Sequence, residues 1–66
     1  MTFEEKLLIL LELYDENQAR LARALGITRQ MLHYKLVNDK FNRKELNQIK
    51  NYLGLSTEEF LELVLD

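Results

Sequence analysis

Hydrophobic residues recur at helical spacing in five successive segments of the chain. In the first segment, Phe3, Leu7, Leu10, Leu11 and Tyr14 lie three or four positions apart, which places them on one face of a helix. None of the segments shows the strict alternation of apolar and polar residues that is typical of a strand. The pattern therefore predicts an all-α fold in which this face of helix 1 is turned toward the core.

Short polar residues mark where each of these helices begins. Three of them are followed by a glutamate three positions later, the spacing of a capping box, in which each side chain accepts a hydrogen bond from the other residue's backbone N–H. The three pairs are Thr2–Glu5, Asn42–Glu45 and Ser56–Glu59. Asn17 and Thr28 are the predicted starts of helices 2 and 3. Five short helices with brief connections are consistent with a compact helical domain.

The second predicted helix ends in a tight turn. Leu21 and Leu25 lie four positions apart on one face of this helix, and the small residue Ala22 beside them allows another helix to approach closely. Gly26 supplies the left-handed backbone that ends a helix without a Cβ penalty. The sequence therefore predicts that helix 2 ends near Leu25.

The third and fourth predicted helices follow the same logic. Helix 3 runs from Thr28 to about Asn38, and Ile27 with Leu32 has the spacing of a hydrophobic staple across its first turn. Helix 4 is expected to end at Gly54. The residues that it is expected to bury are Leu46, Ile49 and Leu53. Helix 3 is thereby predicted to follow helix 2 directly, with its outer face presented to solvent.

Together these features resemble the DNA-binding domain of the Cro and lambda-repressor type. The elements that carry the resemblance are a Phe-x-x-x-Leu opening helix, Asn17-Gln18, Ala22, Gly26, Thr28 and the run Tyr52-Leu53-Gly54-Leu55-Ser56. They extend over nearly the whole chain. The resemblance implies a compact five-helix domain with a helix-turn-helix at helices 2 and 3. It also implies sequence-specific binding of double-stranded DNA by a phage or bacterial repressor, which blocks polymerase by occupying an operator.

Part of the chain also resembles a second family, and one position departs from the Cro pattern. The stretch Asn17–Leu36 is similar to the Fis-type helix-turn-helix, but the two helices predicted after Asn38 favour the Cro type. Lys35 lies three positions after Leu32, where the Cro family usually has an apolar residue, whereas here the apolar residue is Leu36. We therefore expect the end of helix 3 to be rotated slightly against the core.

Length and composition limit the classes of protein that the chain can represent. Its 66 residues predict a single domain, 1–66, with 47% hydrophobic residues, which favours a packed core over disorder. It contains no cysteine, so disulfides and thiolate zinc sites are excluded. No apolar stretch approaches the ~20 residues of a membrane span, and the first residues lack the features of a signal peptide. We therefore expect a cytoplasmic, nucleoid-associated protein without membrane contact.

Charge is strongly segregated along the chain although the net charge is only −2. Residues 1–16 carry five acidic residues against one lysine, a net charge of −4. Residues 17–50 carry eight basic and two acidic residues, a net charge of +6, and residues 51–66 carry four acidic residues, a net charge of −4. A basic middle between acidic ends predicts one surface that attracts a polyanion and two that repel it.

The outer face of helix 3 carries the residues expected to read DNA bases. At about 100° per residue, Gln30 and Tyr34 lie roughly opposite the apolar side of the helix, with His33 at their edge. Arg29 in the first turn matches guanine O6 and N7 in a bidentate contact, and Gln30 matches adenine N6 and N7. Tyr34 and His33 are candidates for bases or for the adjacent sugar and phosphate. The family resemblance implies base reading at the positions of Arg29, Gln30 and Tyr34.

A second set of residues is expected to hold DNA phosphates. Its members are Gln18, Thr28, Asn38, Lys40, Arg43 and Lys44. The assignment of Gln18, at the start of helix 2, follows from the family resemblance. Arg43 and Lys44 occupy the first turn of helix 4, where a cation is unfavourable in isolation because that end of the helix dipole is positive. A bound phosphate reverses the sign, since cations and helix N-termini both attract it.

Helices 1 and 5 contain more apolar residues than one core-facing stripe can bury. The surplus in helix 1 is Leu8, Ile9 and Leu13, and helix 5 contains Phe60, Leu61, Leu63, Val64 and Leu65. Exposed apolar patches of this kind usually mark a contact surface. A homodimer through Phe60, Leu61, Val64 and Leu65 is therefore expected, which agrees with the use of the surface near the last helix by dimers of the family. The alternative is a monomer whose surplus leucines pack internally.

Two other interpretations remain open at the level of sequence. The chain is a protein-interaction module if the apolar surplus of helices 1 and 5 is its functional surface. It is a designed DNA binder on the same scaffold if the regular caps and clean charge partition are deliberate. We expect no enzyme, cofactor, metal or small-molecule ligand. His33 is the only histidine, and neither a nucleophile–base pair nor a glycine-rich phosphate loop is present.

Overall fold

The computed structural model describes residues 1–65 and shows five α-helices in that range. The helices are α1 (Phe3–Leu13), α2 (Gln18–Leu25), α3 (Arg29–Asn38), α4 (Arg43–Leu53) and α5 (Thr57–Val64). None of the described residues forms a strand. The all-α prediction and the placement of a helix-turn-helix at α2 and α3 are therefore confirmed.

All five helix starts lie where the polar residues predicted them. The three capping boxes form with both of their hydrogen bonds. At the start of α5, for example, the Glu59 N–H donates to Ser56 Oγ at 3.1 Å and the Ser56 N–H donates to Glu59 Oε1 at 2.9 Å. Asn17 and Thr28 cap α2 and α3 with a side-chain oxygen alone. Each cap satisfies backbone N–H groups that have no partner within the helix.

A residue with left-handed backbone conformation lies at the end of each of the first four helices. Gly26 and Gly54 have φ values of 74° and 69°, as their predicted role at the ends of α2 and α4 requires. Asp15 and Asp39 also adopt positive φ, at 55° and 53°. Aspartate tolerates this conformation better than most residues because its short polar side chain bonds locally. The ends of α1 and α3 thus use aspartate where the other two ends use glycine.

The helices pack in two groups that share one core. α2 contacts both α3 and α4, whereas α1 contacts α5 and α3. The buried residues are Leu7, Leu11, Leu21, Ala22, Leu25, Leu32, Leu36, Ile49, Leu53, Leu55 and Leu63. Every helix contributes at least one of them. Because α3 is anchored from its inner side by α2 and α1, its outer side is left open to solvent.

Four residues predicted to be in the core are less buried than expected, and two of them, Phe3 and Leu10, are partly buried and pack against the core. Tyr14 is 39% exposed, because it is the C-cap of α1 and its backbone has already left the helix. Its hydroxyl donates to Glu59 Oε2 at 2.6 Å, and this hydrogen bond raises the pKa of Tyr14. Leu46 is only half-buried, in contrast to Ile49 and Leu53 on the same helix. It lies in the first turn of α4, at the rim of the core.

Lys6 joins the two ends of the described chain. Its Nζ donates to the carbonyl of Glu62 at 2.9 Å and to that of Leu65 at 2.6 Å. The Glu62 carbonyl belongs to the last turn of α5 and the Leu65 carbonyl to its C-cap residue, where backbone acceptors lack partners within the helix and the dipole is negative. Lys6 is the only basic residue between residues 1 and 16. Its positive charge therefore stabilises the C-terminus of α5.

Candidate nucleic-acid interface

The outer face of α3 presents the residues predicted to read bases. Leu32 and Leu36 point inward and are buried, so the opposite side of the helix faces solvent. The exposed residues on that side include the four predicted base readers, Arg29, Gln30, His33 and Tyr34. Tyr34 is 57% exposed. A large aromatic ring left this open on a short helix favours contact with a partner.

Polar groups lie at both ends of that face. Thr28 precedes Arg29, and its Oγ1 accepts a hydrogen bond from the Met31 N–H at 3.1 Å. Asn38 ends the helix, and its Nδ2 donates to the Tyr34 carbonyl at 2.8 Å. Both side chains are exposed. Their structural hydrogen bonds hold them in place while the remaining donor capacity of each group stays available to a phosphate.

The predicted phosphate-binding cations follow the end of α3. Lys40 lies in the connection between α3 and α4, and Arg43 with Lys44 forms the first turn of α4. All three are exposed. Gln18 belongs to a different element, because it is the first residue of α2 and is partly buried there. The structure thus places Lys40, Arg43 and Lys44 along one continuous segment beside α3 and Gln18 at the start of the neighbouring helix.

Two of the eight cations in the basic middle already have acidic partners. Arg20 Nε lies 3.1 Å from Glu16 Oε1, and Lys35 Nζ lies 3.0 Å from Glu45 Oε2. The Lys35–Glu45 pair is the more enclosed of the two, with side-chain exposures of 19% and 12%. Six of the eight cations therefore have no acidic partner within residues 1–65, and Lys35 belongs to the scaffold.

Glu45 takes part in two interactions at once. Burial raises its pKa, but the hydrogen bond from the Asn42 N–H and the contact with Lys35 outweigh burial, so the pKa lies below the usual glutamate value. The side chain is therefore an anion at neutral pH. The sequence predicts the capping role of Glu45 but not its pairing with Lys35. A signal was present, since Lys35 occupies a position where the resembled family has an apolar residue.

The residues predicted to form a dimer contact divide into two groups. Phe60 and Val64 are partly buried and pack against the core. Leu61 and Leu65 are 45% and 60% exposed. The surplus residues of α1 are also exposed, namely Leu8, Ile9 and Leu13. Leu61 and Leu65 line a groove together with Leu10 of α1. We define the α1–α5 surface as Ile9, Leu10, Leu13, Leu61 and Leu65, which lie outside the helix-turn-helix. Leu8 lies about 160° away from Leu10 around α1 and is not part of it.

Comparison with known proteins identifies one family. A family model described as the Cro/C1-type HTH DNA-binding domain matches residues 6–66. No curated protein and no solved structure matches the chain significantly. Within residues 1–65, none of the helices has the length and apolar character needed to cross a membrane. The family match covers most of α1 and the whole of α2 to α5, including the two helices that follow the helix-turn-helix.

Proposed function

The chain belongs to the Cro/C1-type HTH DNA-binding domain family, and on this premise we propose that it recognises a specific duplex sequence by placing α3 in the major groove. The main support is the exposed face of α3, which carries hydrogen-bonding and aromatic side chains over a buried leucine side. A recognition helix of this kind contacts base edges with its N-terminal residues. Arg29 and Gln30 occupy the first two positions of α3.

Base recognition is assigned to four residues of α3. Arg29 contacts guanine O6 and N7, and Gln30 contacts adenine N6 and N7, because the geometry of each side chain matches two adjacent groups on that base. His33 and Tyr34 contact bases or sugars one turn further along. Since contacts to base edges carry the sequence information, these four residues would determine which site is preferred.

Phosphate binding is assigned to residues at helix ends around this face. The set consists of Gln18, Thr28, Asn38, Lys40, Arg43 and Lys44. Arg43 and Lys44 combine a positive charge with the N-terminus of α4, and both features attract an anion. The acidic residues are concentrated in residues 1–16 and 51–66, so repulsion would orient the protein with its basic segment toward DNA.

A transcriptional repressor is the biological role that this mode of binding fits best. A small domain seated on an operator excludes polymerase sterically and needs no catalytic group or effector. The proposed setting is the cytoplasm of a bacterium, on the nucleoid, with the gene of bacterial or phage origin. Within this role the protein acts as a homodimer through the α1–α5 surface. Two-fold symmetry would place the two recognition helices ~34 Å apart, in successive major grooves of a palindromic site.

Selection from a random duplex library tests sequence recognition directly. The expected outcome is a roughly palindromic consensus bound at least ~1,000-fold more tightly than random duplex, the lower end of the usual specificity range. Random duplex titrated at the same salt concentration is the control, because nonspecific affinity depends steeply on salt. Enrichment of no consensus would contradict the proposal, even if the protein binds all duplexes equally.

The exposed apolar residues of α1 and α5 favour a second candidate function, that of a protein-interaction module. Leu13 and Leu65 are the most exposed of them, and no described residue covers them. In that case the basic segment would have no role in binding. Titration with random duplex at low salt separates the two functions, since an interaction module would show no affinity for DNA.

A further inference from the structure

The packing of α3 with α4 is mostly indirect. Each helix packs mainly against α2, and the two make few close contacts with each other. They are joined by a connection of four residues, 39–42. The placement of α4 relative to α3 therefore depends on their shared packing on α2, on the connection and on any side chains that bridge the two helices. The placement matters because the proposed base readers lie on α3 and two proposed phosphate ligands begin α4.

A largely enclosed ion pair bridges the two helices directly. Lys35 Nζ on α3 lies 3.0 Å from Glu45 Oε2 and 3.3 Å from Glu45 Oε1 on α4. Their side chains retain 19% and 12% of their exposure. Partial exclusion of water strengthens the attraction relative to an exposed pair. Removing one partner alone would leave the other charge poorly solvated, so the two residues depend on each other.

The same two residues also hold both ends of the connection. The Lys35 carbonyl accepts the N–H of Asp39 and, at 3.0 Å, the N–H of Lys40. Glu45 Oε1 accepts the N–H of Asn42 at 3.0 Å as part of the capping box. The first two residues of the connection are therefore hydrogen-bonded to the Lys35 carbonyl, and its last residue is hydrogen-bonded to the Glu45 carboxylate. The ion pair closes this loop across its base.

We propose that the Lys35–Glu45 pair is a positioning element that keeps the first turn of α4 in register with the recognition helix. In this role Lys35 and Glu45 do not touch DNA themselves. They set where Arg43 and Lys44 lie when α3 is seated in the groove, so that phosphate and base contacts are made together. The inference rests on the proposed mode of DNA binding, and it assigns a role to the one cation of α3 that is turned away from the base-reading face.

A charge-neutral double variant tests this role. Lys35→Met/Glu45→Gln removes the ion pair, leaves the net charge of the chain unchanged and retains an amide oxygen that can accept the Asn42 N–H. The ratio of affinities for the selected site and for random duplex is expected to fall about tenfold, the size of a typical interaction between contacting residues. The affinity for random duplex and its dependence on salt are expected to stay as in the wild type, because no phosphate contact is lost.

Two further variants serve as controls. Lys35→Arg retains the cation and is expected to keep the specificity ratio within about twofold of the wild type. Glu12→Gln removes an exposed carboxylate from α1 and is expected to leave the ratio unchanged. All affinities are measured at a temperature where urea titration shows each variant to be folded. A merely structural role for the pair would lower stability without changing the ratio.

The possible outcomes separate this inference from the proposed function. An unchanged ratio in the double variant would overturn the positioning role. A salt dependence of random-duplex affinity that falls by about one phosphate contact in the double variant would also overturn it, since Lys35 would then touch DNA itself. Amide hydrogen exchange at positions 42 and 45 of the free protein provides a measurement without DNA. The exchange rate is expected to rise about tenfold in the double variant. Unchanged exchange contradicts the inference. If the wild type selects no site, the proposed function fails while exchange still decides whether the pair fixes the connection.

Discussion

The proposed base readers at the start of α3 are single side chains on a fixed turn of backbone. Arg29 and Gln30 follow directly after the cap residue Thr28, whose hydrogen bond to the Met31 N–H fixes the first turn. Their own side chains are exposed. A fixed backbone with exposed side chains favours bidentate contact with bases, because binding then costs conformational entropy only in the side chain itself.

Replacing either residue with alanine should relax recognition locally. Arg29→Ala and Gln30→Ala are each expected to cost roughly 1–3 kcal/mol of binding free energy on the selected site, because a bidentate contact to one base is lost. The measurement is a repeat of the library selection, in which preference should weaken at one or two base pairs. Retention of the wild-type preferences by both variants would show that α3 is docked differently.

The negative charge of Asp39 is unfavourable for both stability and DNA binding, and a single substitution removes it. Asp39 has positive φ at the C-terminus of α3, where its negative charge opposes the helix dipole, and it lies in the proposed phosphate-binding segment. Asp39→Asn keeps a residue that tolerates this conformation and is expected to raise the free energy of unfolding by about 0.3–1 kcal/mol. Affinity for all duplexes should also rise.

Asp15→Asn is the matched control, because Asp15 has the same conformation after α1. It should give a similar gain in urea titration but no gain in affinity for random duplex, since Asp15 lies outside the basic segment. Equal effects of both variants on DNA affinity would show that net charge alone governs binding.

At the scale of helices, a residue close in sequence caps each helix start, whereas a distant residue caps the end of α5. The last turn of α5 receives Lys6 Nζ from α1. Tyr52 on α4 donates to Glu16 at 2.8 Å in the α1–α2 connection. These hydrogen bonds join elements that the core alone would hold less tightly.

The contribution of Lys6 can be measured with a methionine variant. Lys6→Met retains the aliphatic part of the side chain but leaves the carbonyls of Glu62 and of the C-cap residue Leu65 without this donor. The free energy of unfolding is therefore expected to fall by about 1–2 kcal/mol. Lys44→Met is the control, since Lys44 lies at the positive end of α4. It should leave stability unchanged or slightly higher while weakening DNA binding. Equal losses of stability would argue against a capping role for Lys6.

The capping boxes predict how stability depends on pH. Backbone hydrogen bonds from Thr2 and Ser56 hold the pKa values of Glu5 and Glu59 below the usual glutamate value. The pKa of Glu45 is also lowered, despite burial. A lowered pKa in the folded state means that folding favours the anion. The contribution to stability is therefore full above the unfolded value of 4.5 and is lost as pH falls through the folded values.

Urea titrations at several pH values between 7 and 3 would show this loss as a falling midpoint. A Glu5→Gln/Glu59→Gln variant should show a shallower decline, because an amide oxygen accepts the same bonds without titrating. A decline identical to the wild type would mean that other carboxylates cause it.

At the scale of the whole molecule, the basic and the apolar surfaces belong to different elements. The proposed base readers and the cations Lys40, Arg43 and Lys44 lie on α3, the α3–α4 connection and the start of α4. The exposed apolar residues of the α1–α5 surface lie on or next to the two helices that carry six of the eleven acidic residues. This separation would allow two copies to associate through one surface while both present the other to DNA.

The homodimer makes a specific prediction about surface variants. Leu61→Glu adds a charge within the α1–α5 surface and is expected to shift sedimentation equilibrium in the micromolar range toward monomer. Val37→Glu is the matched control, because Val37 is exposed on α3 and should leave association unchanged. Added salt is expected to strengthen association, since it screens repulsion between the acidic surfaces that meet. A mass near 7.9 kDa at every concentration would contradict the dimer.

The sequence by itself determined the elements and their order. Each cap is made between residues three positions apart, so polar residues along the chain were sufficient to locate the helix starts. Gly26 and Gly54 located two ends for the same reason, since a left-handed residue is a local requirement. The spacing of Leu32 and Leu36 determined which side of α3 is buried and hence which side is exposed.

Tertiary structure alone decided how charged and aromatic side chains are paired between elements. The partners of Lys35, Tyr14 and Lys6 lie 10, 45 and at least 56 residues away along the chain. Helical periodicity relates residues within one element and contains no information on what a neighbouring element presents. It therefore assigned Tyr14 to the core and counted Lys35 as a free cation. Only the packing of α3 and α4 on α2 brought Lys35 to Glu45 and removed its charge from the surface.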